Sequence, residues 1–178
     1  MMKPSLKKAY FHFITITRHR HLVIKHCNKA GILWQGLFHD LSKYSPKEFL
    51  AGATYYTDGT KSPNEKEREI FGYSPAWLHH KGRNRHHFEY WTDYSKEAGK
   101  VIPIPMPKRF LKELLCDRVA ASKIYQGKNY NNQHPLSYFL RGKDRRSINP
   151  ETSQTIESFL TILSEQGEDA FFEELKNF

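Results

Sequence analysis

Midway along the segment from Trp34 to Phe49, a histidine and an aspartate stand side by side, His39 and Asp40, flanked by Leu37, Phe38 and Leu41. Two groups that normally seek water therefore occupy a stretch apolar enough to be buried. Burying them is costly without compensation, and a bound metal ion is one of the few adequate partners. If the pair is helical, adjacent side chains diverge by roughly 100°. It then offers an imidazole nitrogen and a carboxylate oxygen to one edge of a coordination sphere. The second carboxylate oxygen of Asp40 is left to reach another ion. A His-Asp pair is common in isolation, and the plain alternative is a helical Asp paired with Lys43 beside a satisfied core histidine.

Other groups of the same chemistry are placed to join it. The chain has ten histidines, and most are clustered. Residues about 5 to 30 predict a long helix stopped at Gly31, with an apolar stripe of Phe13, Ile16, Val23, Cys27 and Ala30. His19 lies on that stripe, and His21 points away. His12 and His26 share the face of His19 but sit about two turns away, roughly 10 Å in each direction. At most one of the three can therefore serve a given ion. A lone inward histidine is more often packing than ligand, so His19 counts only in combination.

A second dense stretch, from Trp77 to Trp91, carries His79, His80, His86 and His87 among aromatic residues. If helical, His80, Asn84 and His87 form one line and His79, Arg83, His86 and Tyr90 another, with Gly82 placed to break the register. The alternative is a basic, aromatic surface on which nucleic-acid bases stack. A later helix, Lys108 to about Tyr125, has an inward line of Phe110, Leu114, Asp117, Ala121 and Ile124. An aspartate in an apolar stripe needs a cation, either a metal or a basic side chain such as Arg118.

The elements that must position these groups all read as helices. The His-Asp pair falls on a predicted helix at about 33 to 43. Ser45, Pro46 and Glu48 form a start signal, with a capping box, for a helix to Tyr56. Asp58-Gly59 is a turn, and Asn64 with Glu67 opens another helix, interrupted by Gly72 and Pro75. Residues about 99 to 107 read as an extended proline-rich connector and 126 to 135 as a polar loop. Short helices are predicted over 135 to 142, 150 to 165 (capped by Asn149) and 168 to 177. No internal repeat and no strand-like alternation is visible, so the expectation is a single all-α domain.

The totals bound the function. At 178 residues, with 38% hydrophobic and 14% aromatic residues, the chain can bury a core. No apolar run approaches 18 residues, which argues against a membrane span. The amino-terminal residues lack the apolar stretch of a secretory signal. Cys27 and Cys116 have neither zinc-knuckle nor disulfide-framework spacing, and read as reduced, buried residues of a cytoplasmic protein. A net charge of +9 favours anionic partners, a phosphorylated small molecule or nucleic acid. The sequence is silent on oligomeric state.

In chain order the candidates are His19, His39-Asp40, the two histidine pairs and Asp117. That order on helices resembles the HD-domain superfamily of metal-dependent phosphohydrolases. His39-Asp40-Leu-Ser-Lys43 looks like the His-Asp-x-x-Lys run of its cyclic-dinucleotide phosphodiesterases, although their Gly-Tyr-Pro segment is replaced here by Asn84-Arg-His-His. More narrowly, this run and His80-x-x-x-Asn84-x-His86-His87 are similar to a small bacterial and phage HD-like family of unassigned activity. The resemblance implies an HD-like helical bundle, with a metal-site core at about 15 to 125 and a C-terminal helical extension at about 134 to 178.

It also implies one or two divalent transition metal ions. Mixed imidazole and carboxylate ligands suit Fe, Mn, Co, Ni or Zn. His19, His39, Asp40 and Asp117 would hold the first ion, with Asp40 bridging to a second on His80 and His86 or His87. Asp40 and Lys43 would be catalytic. Lys43, Arg83, Asn84 and Arg85 would contact a phosphate ester, a nucleotide or related molecule, with Glu48 and Glu89 as unranked acid-base helpers. Two rivals stay open. One is a di-iron oxygenase with the same ligand order. The other is a non-enzymatic nucleotide- or nucleic-acid-binding module using residues 77 to 91.

Overall fold

The computed structural model describes residues 4–59 and 61–178. Helices dominate it: α1 (Leu6–Lys29), α2 (Leu33–Phe38), α3 (Pro46–Thr54), α4 (Pro63–Phe71), α5 (Pro75–Lys81), α6 (Lys108–Gln126), α7 (His134–Arg141) and α8 (Pro150–Asn177). The all-α expectation holds apart from one hairpin. Strands β1 (Thr92–Ser95) and β2 (Lys100–Pro103) pair antiparallel, Thr92 opposite Pro103 and Ser95 opposite Lys100. The hairpin is short and its first strand is largely exposed. Four-residue strands are too brief to show an alternating pattern; the extended connector expected at about 99 to 107 contains β2, and β1 lies before it.

Capping explains where the helices stop and start. Ser5 Oγ accepts from Lys8 N at 3.2 Å to open α1, and Asn149 Oδ1 accepts from Glu151 N and Thr152 N to open α8. Both side-chain caps satisfy amide groups that the first turn leaves free. Two predicted caps fall differently. The cap of α4 is Ser62 rather than Asn64. Ser45 precedes α3 as expected, but makes no side-chain cap bond, and Glu48 is drawn away to histidines.

The core lies between α1, α6, α7 and α8. Val23, Cys27 and Ala30 meet Leu111, Leu115, Cys116, Val119 and Ala120 of α6, Phe139 of α7, and Ile156, Leu160, Leu163, Phe171 and Leu175 of α8. Each fully buried Leu, Ile or Phe contributes about 1.5–3 kcal/mol. The C-terminal helices, expected as an extension of the site-bearing part, thus supply a large share of this core. α8 turns back on itself at Gly167, whose φ of 90° and ψ of −179° belong to a region that only glycine occupies readily. That break matches the two helices expected on either side of it.

Two stripes differ from expectation. Phe13 is exposed and lies edge-on to Tyr44, so the inward face of α1 is His12, Ile16, His19, Val23, His26 and Cys27. On α6 the core face is Leu111, Leu115 and Val119, with Leu114, Cys116 and Ala120. The predicted line through Leu114, Asp117, Ala121 and Ile124 instead faces a cavity. α6 therefore buries one side in the core and turns the next towards the site. Among the described residues no helix is long and apolar enough to cross a membrane.

Candidate metal centre

The His-Asp pair is not helical. α2 ends at Phe38, His39 is extended (φ −53°, ψ 127°), and Asp40 is left-handed (φ 53°, ψ 25°) before a single 3₁₀ turn over Leu41–Tyr44. Aspartate tolerates this conformation better than most residues. The break replaces the predicted helix over 33 to 43. It also turns both side chains inwards, each only 1% exposed. Arg20 of α1 holds the break in place by donating to the carbonyls of Leu37 and His39, the latter at 3.3 Å. These are acceptors that the end of α2 would otherwise leave unpaired. α2 can lie this close to α1 because position 36 is glycine. A Cβ there would sit 2.5 Å from Cys27 Cβ and 3.4 Å from Ile24 Cα.

Around Asp40 two groups of potential ligands form. His19, His39, Asp40 and Asp117 make the first, and Asp40, His80, His86 and His87 the second. Within each group the nitrogen and oxygen atoms lie within 4.8 Å of one another. In the first, His39 Nε2 is 3.2 Å from Asp40 Oδ2 and 3.6 Å from Asp117 Oδ1, and His19 Nε2 is 2.9 Å from Asp117 Oδ1. In the second, Asp40 Oδ1 is 3.2 Å from His80 Nε2 and 3.6 Å from His86 Nε2, while the Nε2 atoms of His80 and His87 stand 2.9 Å apart. The two oxygens of Asp40 thus serve different groups.

The far sides of the imidazoles are fixed. Glu113 Oε1 accepts from His39 Nδ1 at 2.9 Å and from His86 Nδ1 at 3.1 Å. Its other oxygen accepts from Gln35 Nε2. Glu48 does the same for the other pair, accepting from His80 Nδ1 at 2.8 Å and His79 Nδ1 at 2.6 Å. Ser42 Oγ donates to Glu48 at 3.1 Å and accepts from Asn84 Nδ2 at 2.8 Å. With Nδ1 of His39, His80 and His86 facing carboxylates, Nε2 of each is aimed at Asp40. Carboxylate-oriented imidazoles of this kind are the usual support of a metal site. Upstream, α5 is anchored by Glu67, which accepts from Ser74 Oγ and from Ala76 N.

A family model matches residues 8–162, that of a family of unknown function, DUF5662. The chain belongs to DUF5662. No curated protein and no solved structure matches it.

The electrostatics of this DUF5662 chain sharpen the picture. Burial opposes ionisation of Asp40 and Asp117, but the adjacent histidines, and Lys43 beside Asp40, outweigh it and hold both carboxyls well below the usual range. Burial also opposes protonation of His39 and His80, yet Asp40 raises both. His19 and His87 go the other way, since desolvation keeps them neutral. Lys43 stays protonated, with Nζ 2.6 Å from Asp40 Oδ2. Burial likewise works against Glu113, but its bonds from His39 and His86 bring it down to about 2. Four carboxylates, Asp40, Glu48, Glu113 and Asp117, therefore share the cluster with the Lys43 ammonium and with His39 and His80, whose protons Asp40 helps to retain. Convergent carboxylates and imidazoles are a donor set that fits divalent cations, which would take the place of the protons that Asp40 holds on His39 and His80.

Lys43, His19, His80, His87 and Asp117 line a cavity of about 1070 Å³, and His39, Asp40 and His86 lie buried behind them. The remaining expected residues fall elsewhere. α5 stops at Lys81, so no continuous helix carries residues 77 to 91. Arg83 and Arg85 are consequently exposed and outside the cavity lining, Arg83 near the carbonyl of His79 and Arg85 over the ring of Tyr90. Asn84 braces Ser42 and the His80 carbonyl instead of facing the cavity. His79 is a partner of Glu48. Glu48 itself is occupied by two imidazoles, whereas Glu89 lines the cavity with a buried Oε2 that has no hydrogen-bond partner among the described residues. Sequence reasoning missed Glu113 altogether. Its signal was its place one turn before Asp117, on the same side of α6.

Proposed function

We propose that this protein is a metal-dependent phosphohydrolase of HD-domain type. Two divalent transition metal ions would be held by His19, His39, Asp40 and Asp117, and by Asp40, His80, His86 and His87. The supporting observation is a set of buried ligand atoms: Nε2 of His19, His39 and His86 and both oxygens of Asp40. They converge on one another, and among the described residues their close approaches, including that of Lys43 to Asp40, are ion-pair contacts that do not meet hydrogen-bond geometry. Buried polar atoms nearly always form well-aligned hydrogen bonds, and five ligand atoms that crowd together without them fit cations. The resemblance of His39-Asp40-Leu-Ser-Lys43 and the flanking histidines to HD-domain phosphohydrolases supports the choice of chemistry.

Metal ions at such a centre supply an acidified water, with its pKa lowered from 15.7 to about 7, and polarise a phosphoryl oxygen. The protein's own groups do the rest. Glu113 and Glu48 keep the imidazole Nε2 atoms directed at the reacting region. Lys43, fixed by Asp40 at the edge of the cavity, places a positive charge where a phosphoryl group gains negative charge. The cavity walls hold the ester against the cluster, while His39, Asp40 and His86 remain shielded from bulk water.

The test is elemental mass spectrometry on protein purified without an affinity tag, combined with a screen of phosphomonoesters and phosphodiesters. Transition metal near two ions per chain is expected, with both lost in Asp40→Asn, one lost in Asp117→Ala, and hydrolysis abolished in Asp40→Asn. Absence of metal after reconstitution with Mn, Fe or Ni would overturn the proposal. Iron with oxygen uptake and no hydrolysis would replace it with oxygenase chemistry.

A further inference from the structure

In the same cavity as the histidines stands a cluster of positive charge that the reaction above does not use. The guanidinium carbons of Arg118, Arg146 and Arg141 lie 5.0, 5.4 and 5.8 Å from the centre of one ring, that of Tyr138. They come from three segments: α6, the end of α7, and the chain beyond the turn at Lys143–Arg145. All four residues line the same cavity as Asp117. Among the described residues no carboxylate stands within ion-pair distance of any of the three arginines.

Simple packing does not account for this arrangement. A single cation on the Tyr138 face would secure the contact between α6 and α7, whereas three guanidiniums around one ring repel one another. Arg118 Nε is also buried and has no hydrogen-bond partner among the described residues. Arg146 spends one nitrogen on the Phe139 carbonyl, at 3.2 Å, and the rest of its fork is unspent. Glu89 attracts Arg118 and Arg146 only at longer range. Convergent, unpaired guanidinium forks suit the tetrahedral oxygens of a phosphate, which they bind in bidentate fashion.

We propose that Arg118, Arg141 and Arg146 form a phosphate subsite at the mouth of the cavity, so that the substrate is a small molecule carrying two separated phosphates. One phosphate lies at the histidine–aspartate cluster and the other among the arginines. This builds on the phosphohydrolase reading, and the two clusters are joined through neighbouring residues of α6. Asp117 and Arg118 are neighbours on α6, their Cα atoms about 3.8 Å apart, with side chains diverging by roughly 100°. The cavity, at about 1070 Å³, is large enough to take a small molecule that reaches both clusters.

The experiment is calorimetric titration of the full chain, stripped of metal with EDTA, using inorganic pyrophosphate as the probe. Saturable binding of one pyrophosphate per chain is expected, weakened about tenfold in Arg118→Gln and in Arg146→Gln. The exposed arginines Arg83 and Arg85 serve as controls for the general positive charge, and their Gln variants should bind as the parent does. Circular dichroism verifies folding. If either Gln variant fails to fold, the Lys variant at that position keeps the charge, loses the fork, and should still bind less tightly. No saturable binding, or equal losses in the control variants, would overturn the subsite. A protein that takes up no metal yet shows the expected pyrophosphate pattern would retain the subsite and lose the phosphohydrolase reading.

Discussion

Glu113→Gln tests whether the two ligand groups are one device. A single oxygen, Oε1, holds both His39 and His86 through their Nδ1 atoms, at 2.9 and 3.1 Å. One imidazole belongs to each group. The amide can be placed in two ways. If its oxygen stays towards the histidines, its NH₂ faces the Nε2 of Gln35 and a donor meets a donor. If it flips, both imidazole N–H groups lose their acceptor. The first placement sets the lower bound. Two bonds to a charged acceptor, each worth about 1.5–3 kcal/mol, become neutral bonds of about 1 kcal/mol. The loss is then about 1 kcal/mol at each ion. That is about fivefold in each dissociation constant and about thirtyfold in their product, inside the 10- to 100-fold range of ~1.4–2.7 kcal/mol usual for such supporting groups. Competition against a chelator of known affinity measures both constants. A folded Glu113→Gln protein that binds both ions as tightly as the parent would refute the reasoning. A change at one ion alone would refute the shared bridge.

The companion variant, Glu48→Gln, supports only His80 of the second group, so chelator competition should show one weakened ion and one unchanged. Lys43→Met should leave the metal content intact and lower turnover about 10²- to 10³-fold, as elemental analysis and initial rates on the best ester would show. Gly36→Ala forces a methyl to 2.5 Å from Cys27 Cβ and should cost about 1–3 kcal/mol, read from urea unfolding. The pH dependence of stability has a definite sign at His26, which is buried against Phe172 with Nδ1 3.1 Å from the Cys116 carbonyl. Burial lowers its pKa from 6.5 to about 4, so the unfolded chain binds the extra proton. Its contribution is full above pH 6.5 and falls away towards pH 4, a loss of about 3 kcal/mol at 1.36 kcal/mol per unit. Urea midpoints for the parent and His26→Gln should converge as the pH is lowered, with His12 adding a similar slope to both.

Much of the buried cluster was legible because ionisable side chains on apolar stripes are the groups that burial tolerates least. His19 on an apolar stripe and Asp117 on a helix face were conspicuous, and both reach the cluster. The orientation of the His-Asp pair was not legible. Nothing in Leu-Phe-His-Asp-Leu announces a left-handed residue, and the break depends on Arg20 some 20 positions earlier in the chain. Arg83 and Arg85 were misplaced for a related reason. Proximity in sequence to His80 and His86 implied proximity to the cavity, but a helix that ends at Lys81 sends them to the surface. The glutamates behind the histidines were hidden because a carboxylate bridging two imidazoles looks, in sequence, like any surface glutamate. The core was easier to read at Gly167, where a single glycine divided the predicted helices, than on α6, where two adjacent stripes compete for burial.

The left-handed backbone at Asp40 governs how substitutions there are to be interpreted. Glycine, asparagine and aspartate are the residues that enter this region readily, so position 40 imposes a conformational filter before any chemical one. Glutamate keeps the charge but adds a methylene and a less suitable backbone, so Asp40→Glu mixes reach with strain of about 1–2 kcal/mol. Alanine empties the site and strains the turn together. Asparagine keeps the turn and the volume and removes the charge alone. In a library of single substitutions scored for folded protein, position 40 should therefore accept asparagine and glycine ahead of alanine. A library scored for metal or turnover should reject all three. The gap between the two rankings separates what the turn requires from what the ions require.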